Sequence, residues 1–244
     1  MFRSIAAVAA LALTSLAAPH LSHATDITQA TLNETSPTPD VSTAEMRQTL
    51  KDGSAIVLDT RISAEFAAGH IPGAKLVERT SPDRVDTVGK ITGSDKAAKL
   101  ILYCNGPYCQ ASRALAGELV KAGYKNVKRY QLGLPVWRAL GGPVAVEREG
   151  IARVYKADQT AIFIDTRPAT EFAKGSMDGA MNIQPDALAN AKLPEDDFNR
   201  RIVLFGADET EARRAADVMS KRPWHNVSYF PGSFDTLRTA FVGK

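Results

Sequence analysis

Two cysteines carry most of the chemistry this sequence offers. Cys104 and Cys109 are the protein's only cysteines, and they bracket the loop in KLILYCNGPYCQASR, residues 99–113. A thiolate is a nucleophile, and it is favoured where backbone N–H groups and the positive end of a helix dipole converge. Leu100, Ile101, Leu102 and Tyr103 form a short apolar run that reads as a buried central strand. Asn105, Gly106 and Pro107 break it, and from Ser112 onward Leu115, Leu119, Val120 and Ala122 recur at helical spacing. The loop therefore joins a strand's C-terminal end to a helix N-terminus. Cys104 is expected there to be more acidic than an ordinary thiol and to act as a nucleophile. A buried structural cysteine is the competing reading, and the loop position argues against it.

The elements that must hold this loop can be followed along the chain. Its 244 residues are 44% apolar and 23% charged, an ordinary globular composition with room for one or two domains. The net charge of +3 is spread without a basic run, so no nucleic-acid partner is expected. Residues 1–24 combine Arg3, an Ala/Leu-rich stretch over residues 5–18 and the small-x-small site Ser22-His23-Ala24. That is the pattern of a secretory signal peptide, and the apolar part is short for a membrane span, so no stable membrane insertion is expected once it is removed. The expected location is periplasmic or secreted, where exposed thiols are oxidised. Residues 25–40 are polar, contain Pro37 and Pro39, and read as a flexible arm. Ser42 with Glu45 is a capping-box pattern opening a helix to about Lys51, and residues 55–59 are an apolar strand ending at Asp59.

The next phrase occurs twice. VLDTRISAEFAAGHIPGA, residues 57–74, is answered by FIDTRPATEFAKGSMDGA, residues 163–180. LILYC at 100–104 likewise faces RIVLFG at 201–206, and KNVKRYQLG faces HNVSYFPG. The long offset indicates two copies of one domain rather than a solenoid. The boundary falls in the Gly141-Gly142-Pro143 region, giving a first domain over 41–144 and a second over 145–244. Strands alternate with helical stretches in each half, which predicts α/β domains, each a mainly parallel sheet flanked by helices, with sites at strand C-terminal ends.

DTRISAEFAAGHIPGA, then an apolar strand ending in a loop cysteine, then LGLPVWRALGGPV, together resemble the rhodanese homology domain. The resemblance covers nearly all of residues 41–244 and is stronger in the first half. It implies a sulfurtransferase in which Cys104 takes a sulfane sulfur from thiosulfate or a related small sulfur-containing anion. The resulting persulfide would pass its sulfur to cyanide or to a thiol, a protein thiol included. Backbone amides of Asn105, Gly106, Tyr108, Cys109 and Gln110 would cradle the dianion, while Pro107 has no N–H to give. Two features depart from the family pattern. Cys109 stands where many members place a basic residue, which leaves Arg79, Arg84 and Arg113 as candidates to reach in and assist the anion from elsewhere. The cysteine also lies in the N-terminal half, whereas tandem members commonly carry it in the C-terminal one.

Cys109 has three readings. It could resolve a Cys104 persulfide or sulfenic acid through an intraloop disulfide, form a static structural disulfide, or fill space. The second half has Gly206 at the Cys104 position, followed by Asp208 and Glu209, whose carboxylates suit a helix N-terminus and repel anions. It is therefore expected to be inactive and to support the first half, with a partner-binding role as the alternative. Asp59 with Arg61 and Asp165 with Arg167 occur in both halves and read as structural ion pairs. His70, matched by Ser176, reads as a turn residue, and Trp137 and Trp224 as core or edge aromatics. Outside residues 1–24 only His70 and His225 remain, so no zinc set assembles. No Gly-rich phosphate loop is present, no cofactor is expected, and Gln110 replaces the arginine that a Cys-loop phosphatase requires. A thiol-disulfide oxidoreductase using Cys104 and Cys109, and a non-catalytic binding module, are the alternatives to sulfur transfer.

Overall fold

The computed structural model describes residues 36–194 and 196–239. The expected signal peptide and residues 25–35 of the expected arm lie outside them. In the first half, β1 (Ile56–Asp59), β2 (Lys75–Leu76), β3 (Lys99–Tyr103) and β4 (Asn126–Tyr130) form a parallel sheet in the order β2-β1-β3-β4. In the second, β5 (Val144–Ala145), β6 (Ile162–Asp165), β7 (Met181–Asn182), β8 (Ile202–Gly206) and β9 (Val227–Ser233) pair in parallel in the order β5-β9-β8-β6-β7. Helices follow the strands, as the α/β reading requires. The expected division between residues 144 and 145 cuts through β5, which belongs wholly to the second sheet.

Local sequence explains the entry to the first domain. Helix α1 (Thr43–Asp52) starts at Ser42, whose hydroxyl accepts from the Glu45 amide at 3.1 Å while the Glu45 carboxylate accepts from the Ser42 amide at 2.8 Å. It ends at Gly53, whose φ of +63° closes the helix. Just before it, residues 36–40 are not the loose end of an arm. The Arg129 amide donates to the Pro39 carbonyl at 2.9 Å and the Val41 amide donates to the Arg129 carbonyl at 2.7 Å, so this segment is pinned beside β4 with Thr38 buried.

Alternation along the central strands divides the apolar side chains between two faces. Leu58, Leu100 and Leu102 pack outward on α4 (Gln110–Lys121) through Leu115 and Leu119. Val57, Ile101 and Tyr103 face the other way, into one buried cluster with Phe163, Val203 and Phe205 from the second sheet. Ile162, Ile164, Ile202 and Leu204 then pack beneath α8 (Glu209–Met219). The two sheets thus share a central apolar layer, and each has its own outer core. Trp137 and Trp224 are both buried, as expected of core aromatics, and the Trp137 indole donates to the Pro143 carbonyl at 2.9 Å. Among the described residues, no helix is long and apolar enough to cross a membrane.

Candidate active site

The loop that carries the two cysteines lies where the strand-to-helix reading put it. Cys104 directly follows β3 and is 2% exposed, and Cys109 is the extended residue just before α4. Their sulfurs are joined in a disulfide, with the two Cα atoms 6.1 Å apart. Cys109 is therefore the bonded partner of Cys104, not a space-filler. Between them Gly106 turns at φ +117°, and its carbonyl accepts from the Cys109 amide at 3.0 Å. That bond removes the Cys109 N–H from the expected anion cradle, because the turn that brings the sulfurs together uses it. Tyr108 is 72% exposed, and Asn105 and Gln110 are also exposed, so the loop presents its rim to solvent.

The phrase QLGLPVW forms the loop's floor. The Leu134 amide donates to the Cys104 carbonyl at 3.1 Å. Gly133, at φ +65°, opens α5 (Gly133–Ala139), and a Cβ there would overlap the Cys104 carbonyl oxygen and the Gly106 nitrogen. Only glycine meets both the left-handed backbone and the close approach.

A polar fork supports the loop from β1. Arg61 donates from Nε to Asp59 Oδ1 at 2.9 Å and from Nη2 to Oδ2 at 2.6 Å, and its Nη2 also donates to the Gly69 carbonyl at 2.7 Å. Both side chains are buried, where a bidentate pair with further bonds offsets desolvation. Tyr103 adds its hydroxyl to Asp59 Oδ2 at 2.5 Å. Asn105 donates to Glu65 Oε1 at 2.6 Å, tying the loop to α2 (Ser63–Ala68). The second half repeats the fork, with Arg167 Nε at 3.0 Å and Nη2 at 2.6 Å from Asp165 and Nη2 at 2.8 Å from the Gly175 carbonyl. Its presence in both halves fits the structural role expected of these residues.

The three arginines proposed to assist an anion are dispersed. Arg84 is taken up by Glu118 in an ion pair between α3 (Arg84–Thr92) and α4, so its charge is already matched. Arg113 lies with Gln110, Glu118 and Lys121 along a shallow hollow on α4. Arg79 is exposed, and its amide bonds to the Arg61 carbonyl at 3.4 Å, which leaves it near the sheet's C-terminal edge. Sequence spacing did not single out Arg138 and Arg201, which line the same cavity as Asn105. The only signal for Arg138 is that it follows Leu134 by one helical turn, and Arg201 is brought in by tertiary packing alone.

In the second half, Asp208 caps α8, its carboxylate accepting from the Glu211 amide at 2.9 Å. Glu211, rather than Glu209, fills the space above Gly206 and accepts from the Thr166 hydroxyl at 2.6 Å. His70 is buried in the turn. A carbonyl can only accept, so His70 Nδ1 carries the proton in the 3.0 Å bond to Phe66. Its backbone also exchanges two hydrogen bonds with Ala145 of β5, at 2.9 and 3.0 Å, fastening one half to the other. Among the described residues no group of His, Cys, Asp and Glu could hold a metal ion.

Comparison with known proteins matches the Rhodanese-like domain model twice, at residues 42–140 and 152–240. Over 94 residues the chain is 33% identical to thiosulfate sulfurtransferase GlpE of Pseudomonas fluorescens, covering 38% of this chain and 80% of that protein. It is 30% identical over 109 residues to the HTH-type transcriptional regulator Rv0324 of Mycobacterium tuberculosis, covering 45% of this chain. The chain spans about half the length of that regulator, 46%. Among solved structures, a Rhodanese-like domain from Anabaena sp. is 27% identical with a TM-score of 0.39, covering 44% of this chain and 79% of that one. Thiosulfate sulfurtransferase from Pseudomonas aeruginosa is 21% identical with a TM-score of 0.34, covering 79% of this chain and 43% of that one.

Proposed function

Because the chain belongs to the Rhodanese-like domain family through both of its halves, we propose that it is an exported sulfurtransferase whose sulfur carrier is Cys104. The family and the thiosulfate sulfurtransferase relatives support sulfurtransferase-type chemistry. The observation that carries the finer reading is the position of Cys104, at the end of a central strand and on the loop that opens α4.

Reduction of the Cys104–Cys109 disulfide by a dithiol takes up two electrons and two protons and leaves two thiols. The Cys104 thiolate, favoured by the α4 N-terminus, attacks the outer sulfur of thiosulfate or a related donor. A Cys104 S–S bond forms, the donor's S–S bond breaks, and sulfite leaves with the electron pair. Cyanide or an acceptor thiolate then attacks the outer sulfur of the persulfide and departs as thiocyanate or a new persulfide, returning the Cys104 thiolate. With no acceptor, the Cys109 thiolate attacks the inner sulfur, expels hydrosulfide and re-forms the disulfide. An oxidised resting state suits a periplasmic or secreted protein, the location proposed from residues 1–24.

The test is to reduce the protein, add thiosulfate and weigh the Cys104 peptide. A gain of one sulfur atom, lost on adding cyanide and absent in Cys104→Ser, is the expected result; an unchanged mass sinks the reading. The disulfide itself favours a second reading, a thiol-disulfide oxidoreductase. In that case the loop would exchange electrons with dithiols while Cys104 never gained sulfur.

A further inference from the structure

The two cysteines are held together by more than the bond between their sulfurs. Cys104 is fixed by the strand it follows and by the Leu134 amide, which donates to its carbonyl at 3.1 Å. Cys109 is fixed by the helix it precedes and by its own amide, which donates to the Gly106 carbonyl at 3.0 Å. Between them Pro107 has a locked φ, and the Asn105 side chain is tied to Glu65 at 2.6 Å. Beneath them Gly133 packs so closely that a Cβ would overlap the Cys104 carbonyl oxygen and the Gly106 nitrogen. None of these constraints uses the disulfide. The frame therefore keeps the two Cα atoms near their 6.1 Å separation when that bond is reduced, and two thiols are left side by side.

A preorganised dithiol chelates soft ions. Which ion it suits follows from what surrounds it. A structural zinc needs four ligands, and among the described residues no group of three or more His, Cys, Asp and Glu side chains could hold a metal. Glu65, the carboxylate tied to the loop, already accepts from Asn105 and, at 3.3 Å, from the Ile62 amide. Two-coordinate copper(I) or mercury(II) places its sulfurs on opposite sides of the ion, which would pull the ends of the loop apart. A pyramidal trivalent arsenic centre takes two sulfurs at roughly a right angle, keeps them close, and fills its third position with hydroxyl. Arsenous acid is also uncharged at neutral pH. It needs no cation at the loop, and residues 104–110 contain none.

We propose that the reduced loop binds arsenous acid as a cyclic dithiolate of Cys104 and Cys109. Cys109, half-buried at the rim between exposed Tyr108 and Gln110, forms the first As–S bond, and buried Cys104 closes the ring. Each step breaks one S–H and one As–OH bond, makes one As–S and one O–H bond, and releases one water. Arsenic stays trivalent and no electrons move. The two electrons that open the disulfide beforehand come from a dithiol or a phosphine. The inference shares with the sulfur-transfer reading a reducible disulfide, and it does not require Cys104 to carry sulfur. With both sulfurs on arsenic neither a persulfide nor the disulfide can form, so arsenite halts any cycle through this loop, whereas the oxidised protein does not respond to it.

The full chain is reduced with a phosphine, which unlike a dithiol does not compete for arsenic, and thiol titration establishes that both cysteines are free. Sodium arsenite is then expected to raise the intact mass by one arsenic atom and one hydroxyl less two hydrogens, with both thiols lost to titration. Cys104→Ser and Cys109→Ser should each bind about a hundredfold or more weaker, because a single thiol loses the gain from a second one tethered beside it. The unreduced chain should take up no arsenic. Melting curves establish that each variant is folded; if one is not, the comparison of reduced with unreduced wild type decides. A disulfide that resists the phosphine, no arsenic on the reduced chain, equal affinity in either serine variant, or zinc held by the reduced chain against a colorimetric chelator overturns the proposal. Arsenic bound by a chain that never gains sulfur from thiosulfate would sink the transfer reading alone, so the two failures are distinct.

Discussion

Tyr103 donates its hydroxyl to the Asp59 carboxylate at 2.5 Å, and the same oxygen accepts from the Ile71 amide at 2.9 Å. Burial, followed by the Asp59 charge, pushes the Tyr103 pKa up, which keeps it a donor. The second half has Phe205 at this position and no hydroxyl. There Ser176, the counterpart of His70, donates to Asp165 Oδ2 at 2.6 Å instead. Each half thus supplies a hydroxyl to Oδ2 of its own buried aspartate, from the central strand in the first half and from the turn in the second.

Tyr103→Phe removes a donor from Asp59 and strands the Ile71 amide in the core. A loss of about 1–3 kcal/mol is expected for a buried group left unpaired. Urea unfolding would measure it, and a cost near zero would show that the network is not needed. Ser176→Ala strands no amide, so it should cost less.

Cys109→Ser separates the proposed resolving role from the proposed carrier role. The variant should load sulfur on Cys104 without prior reduction, and its persulfide should outlast that of the reduced wild type in the absence of an acceptor. Peptide masses taken over time check both. An equal persulfide lifetime would remove Cys109 from the cycle.

His70 makes stability depend on pH. Burial is the largest influence on it and lowers its pKa below the usual 6.5. As pH falls below 6.5 the unfolded chain binds a proton that the folded one resists, so this residue's contribution is full above 6.5 and declines below it. Glu147 faces the ring with Oε1 3.7 Å from Nε2, and burial raises its own pKa from 4.5. Its effect has the opposite sign, since stability is gained as pH falls through the raised value. The advantage of wild type over His70→Gln should therefore shrink below pH 6.5, as read from unfolding midpoints across that range. A constant difference would show that His70 does not titrate on unfolding.

Gly206→Cys, which puts a cysteine at the position matching Cys104, should not create a second carrier. A Cβ at Gly206 would lie 2.7 Å from the Thr166 hydroxyl and 2.8 Å from Glu211 Oε1, so about 1–3 kcal/mol of overpacking is expected. Sulfur found on residue 206 after thiosulfate treatment would contradict this.

Much of this organisation was legible in local sequence because local physics sets it. The Ser42/Glu45 cap, the apolar strands, the duplicated DTR phrase and the strand-loop-helix around Cys104 each depend on neighbours a few residues away. Less legible was whatever depends on distant chain segments. Pairing of the two sulfurs follows from the turn at Gly106 and from Gly133 pressing beneath it. The uptake of Arg84 by Glu118 requires α3 and α4 to lie together. The segment 36–40 looked loose because its composition is polar, yet its backbone bonds to Arg129, a partner that composition does not show. Arg201 lines a cavity together with Asn105 only because the two halves meet there.

The apolar layer common to both sheets makes the second half indispensable. Cutting the chain after residue 143 would bare Val57, Ile101 and Tyr103 to water at once. The half without a cysteine therefore cannot be shed, and heating should melt the whole molecule in a single cooperative step.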